Sequence, residues 1–254
     1  MADTEKFITQ LQTGPRSALE QTLDDQPRRM NTFLSQPAPH GEEQWMPMHF
    51  AATAGHVAAI DALLARGVHP DCRTRFLTPM HARQTPLHLA AAAGHGEAVR
   101  RLLEAAAEVE VRDALGRSPL WLAARHRHAG VVVQLVRRGA DPDAKDAQGR
   151  TPLHAALLLH QSSSEPDPGR SDHPDAPPFD PAAALAVLDA GADPAAVCPK
   201  DPDGYTPLHR CVLLGDASRP VVERLLAVGA DPSVADPRFG RTAAALAEHL
   251  AADS

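Results

Sequence analysis

One block of the chain, Thr85-Pro86-Leu87-His88-Leu89-Ala90-Ala91-Ala92-Ala93-Gly94-His95, constrains the fold more than anything else in it. Pro86 has a fixed φ and no N–H, so it suits the first turn of a helix behind a hydroxyl residue that caps it. Leu87 and the alanines make that helix short and narrow, and Gly94 permits the reversed backbone that ends it. Val99, Leu102 and Leu103 then fall at i, i+3 and i+4, one face of a second helix. A helix–turn–helix of this size cannot bury its own apolar side. It needs copies.

The copies are present. Ser118-Pro119-Leu120-Trp121-Leu122-Ala123-Ala124, Thr151-Pro152-Leu153-His154-Ala155-Ala156 and Thr206-Pro207-Leu208-His209 repeat the first helix, and Met46-Pro47-Met48-His49-Phe50-Ala51-Ala52 is a diverged version. The units close alike, with Gly139-Ala140-Asp141, Gly191-Ala192-Asp193 and Gly229-Ala230-Asp231. Prolines 86, 119 and 152 stand 33 residues apart. From Glu42 onward the chain resembles the ankyrin-repeat family in both motif and period. The resemblance implies an all-α repeat solenoid, stacked helix–turn–helix units joined by β-hairpin fingers, with a concave recognition face.

Residues 1–41 carry no motif and read as a helical N-terminal cap and linker. Phe7, Ile8 and Leu11 suit a helix capped by Thr4, Gly14-Pro15 breaks it, and Ala18, Leu19 and Leu23 suit a second. Met30, Phe33 and Leu34 suggest a further turn, and Ser35 to Gly41, with two prolines, a connector. The array, residues 42–254, divides into repeats near 42–73, 84–112, 113–145, 146–197 and 201–235, with a C-terminal cap at 236–254. Residues 161–179, rich in serine, proline and aspartate, split the fourth repeat and are expected to be disordered. The finger at Thr74–Arg83 is longer than its neighbours. Ala106 occupies the helix-ending slot that Gly139 fills one repeat later, where a left-handed backbone disfavours any Cβ.

Aromatics make up only 4% of the chain, so the core has to be built from close-packed alanine and leucine. A net charge of −7 gives no general drive toward nucleic acid or anionic membrane, and no apolar run is long enough to span one. Cys72, Cys198 and Cys211 are odd in number and scattered, which suits a reducing compartment. With no export signal at the N-terminus, the expected location is the cytoplasm. Only 3 of the 25 basic residues are lysines, a bias that goes with GC-rich, bacterial genomes.

The histidines call for a weighing of metal chemistry. His49, His88, His154 and His209 share the motif slot, while His56, His95 and His128 share a slot at the turn between helices. A spacing of one repeat is too wide for a shared ion, and the one close pair, His126 and His128, does not share a helix face. No nucleophile motif or phosphate-binding loop is present, so neither an enzyme nor a cofactor is expected. The resemblance implies instead a monomeric interaction module for a protein partner, as an inhibitor, immunity or regulatory protein. Carried over position by position, its contact residues are Trp45, Arg75, Phe76, Leu77, Met80, Leu115, Arg117, Arg125, His126, Gln148, Arg150 and Tyr205. Arg75, Arg117, Arg125 and Arg150 would form a basic stripe suited to an acidic partner surface. The alternative is an enzyme accessory that holds a metal or small anion on exposed histidine and arginine.

Overall fold

The computed structural model describes residues 2–25, 27–31, 34–38, 41–76, 83–158, 179–196, 205–236 and 240–245. Twelve helices in these residues alternate between two rows. The inner row is α1 (Ala2–Thr13), α3 (Pro47–Thr53), α5 (Pro86–Ala92), α7 (Pro119–Arg125), α9 (Pro152–Ala156) and α11 (Pro207–Leu214). The outer row is α2 (Arg16–Asp25), α4 (Val57–Ala65), α6 (Gly96–Glu104), α8 (Ala129–Arg137), α10 (Ala182–Asp189) and α12 (Arg219–Ala227). Each inner helix from α1 to α9 packs on the next, as does each outer helix from α2 to α12. The chain is an all-helical repeat solenoid, as its motif spacing predicts.

Five inner helices begin with proline directly after the capping position, which fixes their start at the same point of each unit. Their inward face is small. Ala51, Ala52, Ala90, Ala91, Ala123 and Ala124 are fully buried, which lets successive inner helices approach closely. Leucines and valines from the outer helices, among them Leu63, Leu102, Leu135, Val187 and Leu225, fill the space behind them. Most of the buried apolar side chains from Phe7 to Ala243 form one continuous cluster, and Trp121, Leu122 and Ala155 form a second. On the outer surface Asp24–Arg66, Asp61–Arg101 and Asp189–Arg224 bridge neighbouring helices at 2.6–2.8 Å. Pairs this exposed set register more than they stabilise.

Three expectations are corrected. Helix α1 starts at Ala2, so Thr4 lies inside its first turn, although Phe7 and Leu11 are buried as predicted. The segment read as a connector is a β-hairpin, β1 (Leu34–Ala38) with β2 (Gly41–Trp45), and β2 pairs in turn with β3 (Arg75–Phe76). Pro37 is tolerated because β1 is the edge strand, where a missing N–H costs no ladder bond. Phe179, assigned to the disordered insert, is half-buried against the core with the Arg127 guanidinium 5.4 Å from its ring centre. The expectations for Phe33, for residues 161–178 and for the chain beyond residue 245 lie outside the described residues.

Strain is local. Gly94, at φ +76°, is needed twice over, because a Cβ there would come 2.5 Å from the His128 ring. Arg127 holds the same slot one repeat later at φ +64°, and Ala106 ends α6 at φ +61°. Ala106→Gly is therefore expected to raise stability by about 0.5–1 kcal/mol in urea denaturation, the relief of the left-handed Cβ less the added freedom of the unfolded chain. Arg127→Gly should gain less, because it also removes the guanidinium over Phe179.

Candidate functional site

The recognition surface of a solenoid is only as well defined as the joints between its units, and here histidine makes most of the joints. Thr85 N–H donates to His88 Nδ1 at 3.1 Å, which leaves the ring proton on Nε2. Nε2–H then donates to the Arg117 carbonyl of the next unit at 3.0 Å. His49 repeats the pattern, accepting from Met46 N–H (3.0 Å) and donating to Cys72 O (3.0 Å). His209 reaches Arg241 O at 2.9 Å. A second set points back along the array. His56 bonds Leu11 O, His95 bonds Thr53 O and His128 bonds Ala92 O, each at 2.9–3.0 Å, so the carbonyls that end one inner helix are satisfied by the next unit.

Both nitrogens of His49 and His88 are thus committed, and neither ring keeps a lone pair for a metal. Among the described residues no three His, Cys, Asp or Glu side chains converge as a metal site. Burial holds these rings neutral, with the pKa of His49 and of His88 pushed down from 6.5 to about 4, and that of His128 also lowered by burial. Burial pushes the Cys72 and Cys211 thiols up to about 12, which leaves them inert as nucleophiles.

The fingers are built on aspartate. Asp113 Oδ1 accepts from the N–H groups of Leu115 and Arg117, both at 2.9 Å, and its Oδ2 accepts from Arg117 Nε at 2.8 Å. Asp146 does the same for Gln148 N, Arg150 N and Arg150 Nε, at 2.7–3.0 Å. Both carboxylates are fully buried, so each needs its arginine. The two guanidiniums also flank Trp121, 5.6 and 5.1 Å from its ring centre, within cation–π range. Trp121 fills the motif-histidine slot at 3% exposure, packed with Leu122 and Ala155. Its backbone N–H bonds Ser118 Oγ, but its indole N–H is buried with no hydrogen-bond partner among the described residues.

The family model for ankyrin repeats in three copies matches residues 18–113, 49–146 and 87–164, and that for a single ankyrin repeat matches residues 203–237. The chain belongs to the ankyrin-repeat family. No curated protein matches it in sequence. In this ankyrin array the residue before the cap of α3, α7 and α11 leans over the ring four positions on. Trp45 packs on His49 and Phe50, Arg117 on Trp121, and Tyr205 on His209 at 5.5 Å. That geometry corrects part of the expected contact set. Arg117 and Tyr205 are only 8% and 9% exposed, and Trp45 packs against the core with its indole N–H buried and without a partner among the described residues. Arg150 is half-buried on Asp146. The basic stripe therefore loses Arg117 outright and most of Arg150.

The rest of the expected set is accessible in part. Arg75 is exposed on β3, while Leu115, Arg125, His126 and Gln148 are half-exposed. Phe76 pairs through its backbone with Glu43, but its side chain, like Leu77 and Met80, lies outside the described residues. Sequence reasoning missed a row at the finger bases, Arg73, Arg112 and Lys145, each directly preceding the finger's first turn residue. The signal was there in the register: these positions are one repeat apart, allowing for the longer first finger.

Two outcomes follow from this site. The unfolded chain protonates histidine near pH 6.5, whereas His49 and His88 resist protonation to about pH 4. Stability from these joints is therefore complete above pH 6.5 and lost as pH falls toward 4, by up to roughly 3 kcal/mol per residue. Denaturation midpoints measured across this range should show the slope, and His88→Gln should flatten it while lowering stability at pH 7. Trp121→Ala should cost about 3–5 kcal/mol. Trp121→His should cost less, because histidine in this slot bonds through both of its ring nitrogens at His49, His88 and His209.

Proposed function

We propose that this ankyrin array binds a protein partner through its fingers and the ends of its inner helices, and acts by occupying that partner rather than by catalysis. Ankyrin repeats are in general protein–protein interaction modules. The observation that carries the reading is the division of labour within each unit. Side chains that bond the next repeat are buried and fixed, while the end of α7 presents Arg125 and His126 where α5 has Ala92 and Ala93. A rigid scaffold with one chemically distinct patch suits selective recognition. Arg75, Phe76, Leu77, Met80, Leu115 and Gln148 are proposed as further contacts. An inhibitory, immunity or regulatory role for a cytoplasmic, bacterial monomer fits a chain whose described helices are all too short and polar to cross a membrane.

The test is a binding titration with the partner captured by the full chain. Arg125→Glu with His126→Glu should weaken binding by at least about 2 kcal/mol, the size of a hot-spot loss, while leaving the melting temperature nearly unchanged. Unchanged affinity in this double variant would remove the inner-helix ends from the interface.

A further inference from the structure

Charge is segregated in this chain. Finger segments 73–84, 112–117 and 145–150 hold seven arginines and lysines against two carboxylates, in a molecule of net charge −7. The two carboxylates, Asp113 and Asp146, are consumed by Arg117 and Arg150. Two of the other five cations, Arg73 and Arg112, bond backbone carbonyls, which orient a guanidinium without cancelling its charge. Arg73 Nη1 reaches across to Arg112 O at 3.2 Å. Arg112 Nη1 donates to Gly116 O and to Lys145 O in the next finger, both at 3.1 Å, while its Nη2 meets Glu110 at 3.2 Å. Arg83 and Lys145 are exposed, and among the described residues neither has a carboxylate within ion-pair distance.

Backbone strain marks the same row independently. Arg83 sits at φ +65°, a conformation that glycine adopts freely and that other residues adopt at a cost. Its N–H bonds Thr74 O, a bond glycine would make equally well, so among the described residues no hydrogen bond or ion pair of this finger calls for an arginine side chain. Strain kept at an exposed charged position is a mark of function.

We propose that this finger row, centred on Arg83, Arg112 and Lys145, is the docking surface for an acidic, extended peptide segment of the partner. The inference rests on the reading of the array as a protein-binding module and names the chemistry that the module selects. Nucleic acid fits less well. The tryptophans and Tyr205, the side chains that would stack on bases, are packed against the fold.

The test uses the full chain and a fluorescein-labelled oligoglutamate peptide, followed by anisotropy at low salt. Binding should saturate, fall as salt rises, and be absent for oligoglutamine. Arg83→Glu with Lys145→Glu should weaken it about tenfold or more, mainly through slower association. Arg83→Gly should raise the melting temperature and yet weaken the peptide by about threefold, a split that a purely structural arginine would not give. The proposal is overturned if the parent fails to bind oligoglutamate, if the double variant binds like the parent, or if oligothymidine binds more tightly than oligoglutamate. If the peptide fails while the captured partner still depends on Arg125 and His126, this inference falls alone. Loss of both dependences removes the protein-binding reading as well.

Discussion

The array depends on a neutral imidazole between two backbone groups. In the motif slot the cap N–H fixes the tautomer, and the opposite nitrogen is then obliged to donate to the next unit's carbonyl. One ring thereby caps one helix and starts the next joint, which is why the same side chain recurs at the start of α3, α5, α9 and α11. A protonated ring would turn Nδ1 into a donor facing another donor, so the charged form fails on geometry as well as on desolvation. The second set of histidines, pointing back along the array, closes the opposite end of each helix. Neighbouring units are stapled at both ends of the inner row.

The third repeat departs from this scheme twice. Trp121 replaces the forward histidine, and Arg127 replaces the glycine at the turn, with a left-handed backbone. These changes support each other through the surroundings. Without a forward histidine the joint to the fourth unit relies on buried aromatic area and on two guanidiniums already anchored to buried carboxylates. Without glycine at the turn, Arg127 covers Phe179, the residue that leads into α10. The split repeat is thus tied to its neighbour by arginine–aromatic contacts in place of the motif-histidine bond, beside the hydrogen bonds from Ala147 N–H to Leu115 O and from Asp193 N–H to Asp143. Such a joint does not titrate with the histidines.

Much of the fold was legible because the repeat imposes one period on several independent signals. Proline at the helix start, alanine on the inner face and glycine at the turn each read the same way wherever they recur. Legibility failed where a residue's role is set by a neighbour distant in sequence. Pro37 reads as a breaker, yet it stands in a strand because the pairing leaves β1 at the edge. Arg117 and Tyr205 read as exposed because the positions before the caps vary among repeats. Only the ring four residues on, against which each side chain leans, shows why they are covered. Ala106 was legible from register alone, since the slot demands φ > 0 whatever fills it.

The same distinction separates the two kinds of arginine on the fingers. A guanidinium held by a buried carboxylate is part of the scaffold, because removing it strands a charge that cannot reach water. A guanidinium held by a carbonyl keeps its charge and its field. Arg117 and Arg150 belong to the first kind; Arg73 and, for one of its two terminal nitrogens, Arg112 belong to the second. Sequence position does not distinguish them, since all four lie at the edges of fingers. What distinguishes them is whether an aspartate stands four residues before, as Asp113 stands before Arg117 and Asp146 before Arg150. Where it does, the arginine folds back to serve the turn. Four residues before Arg73 and Arg112 stand His69 and Glu108 rather than an aspartate, and the side chain reaches instead along the row to a carbonyl of the next finger, where a partner's carboxylates would meet it.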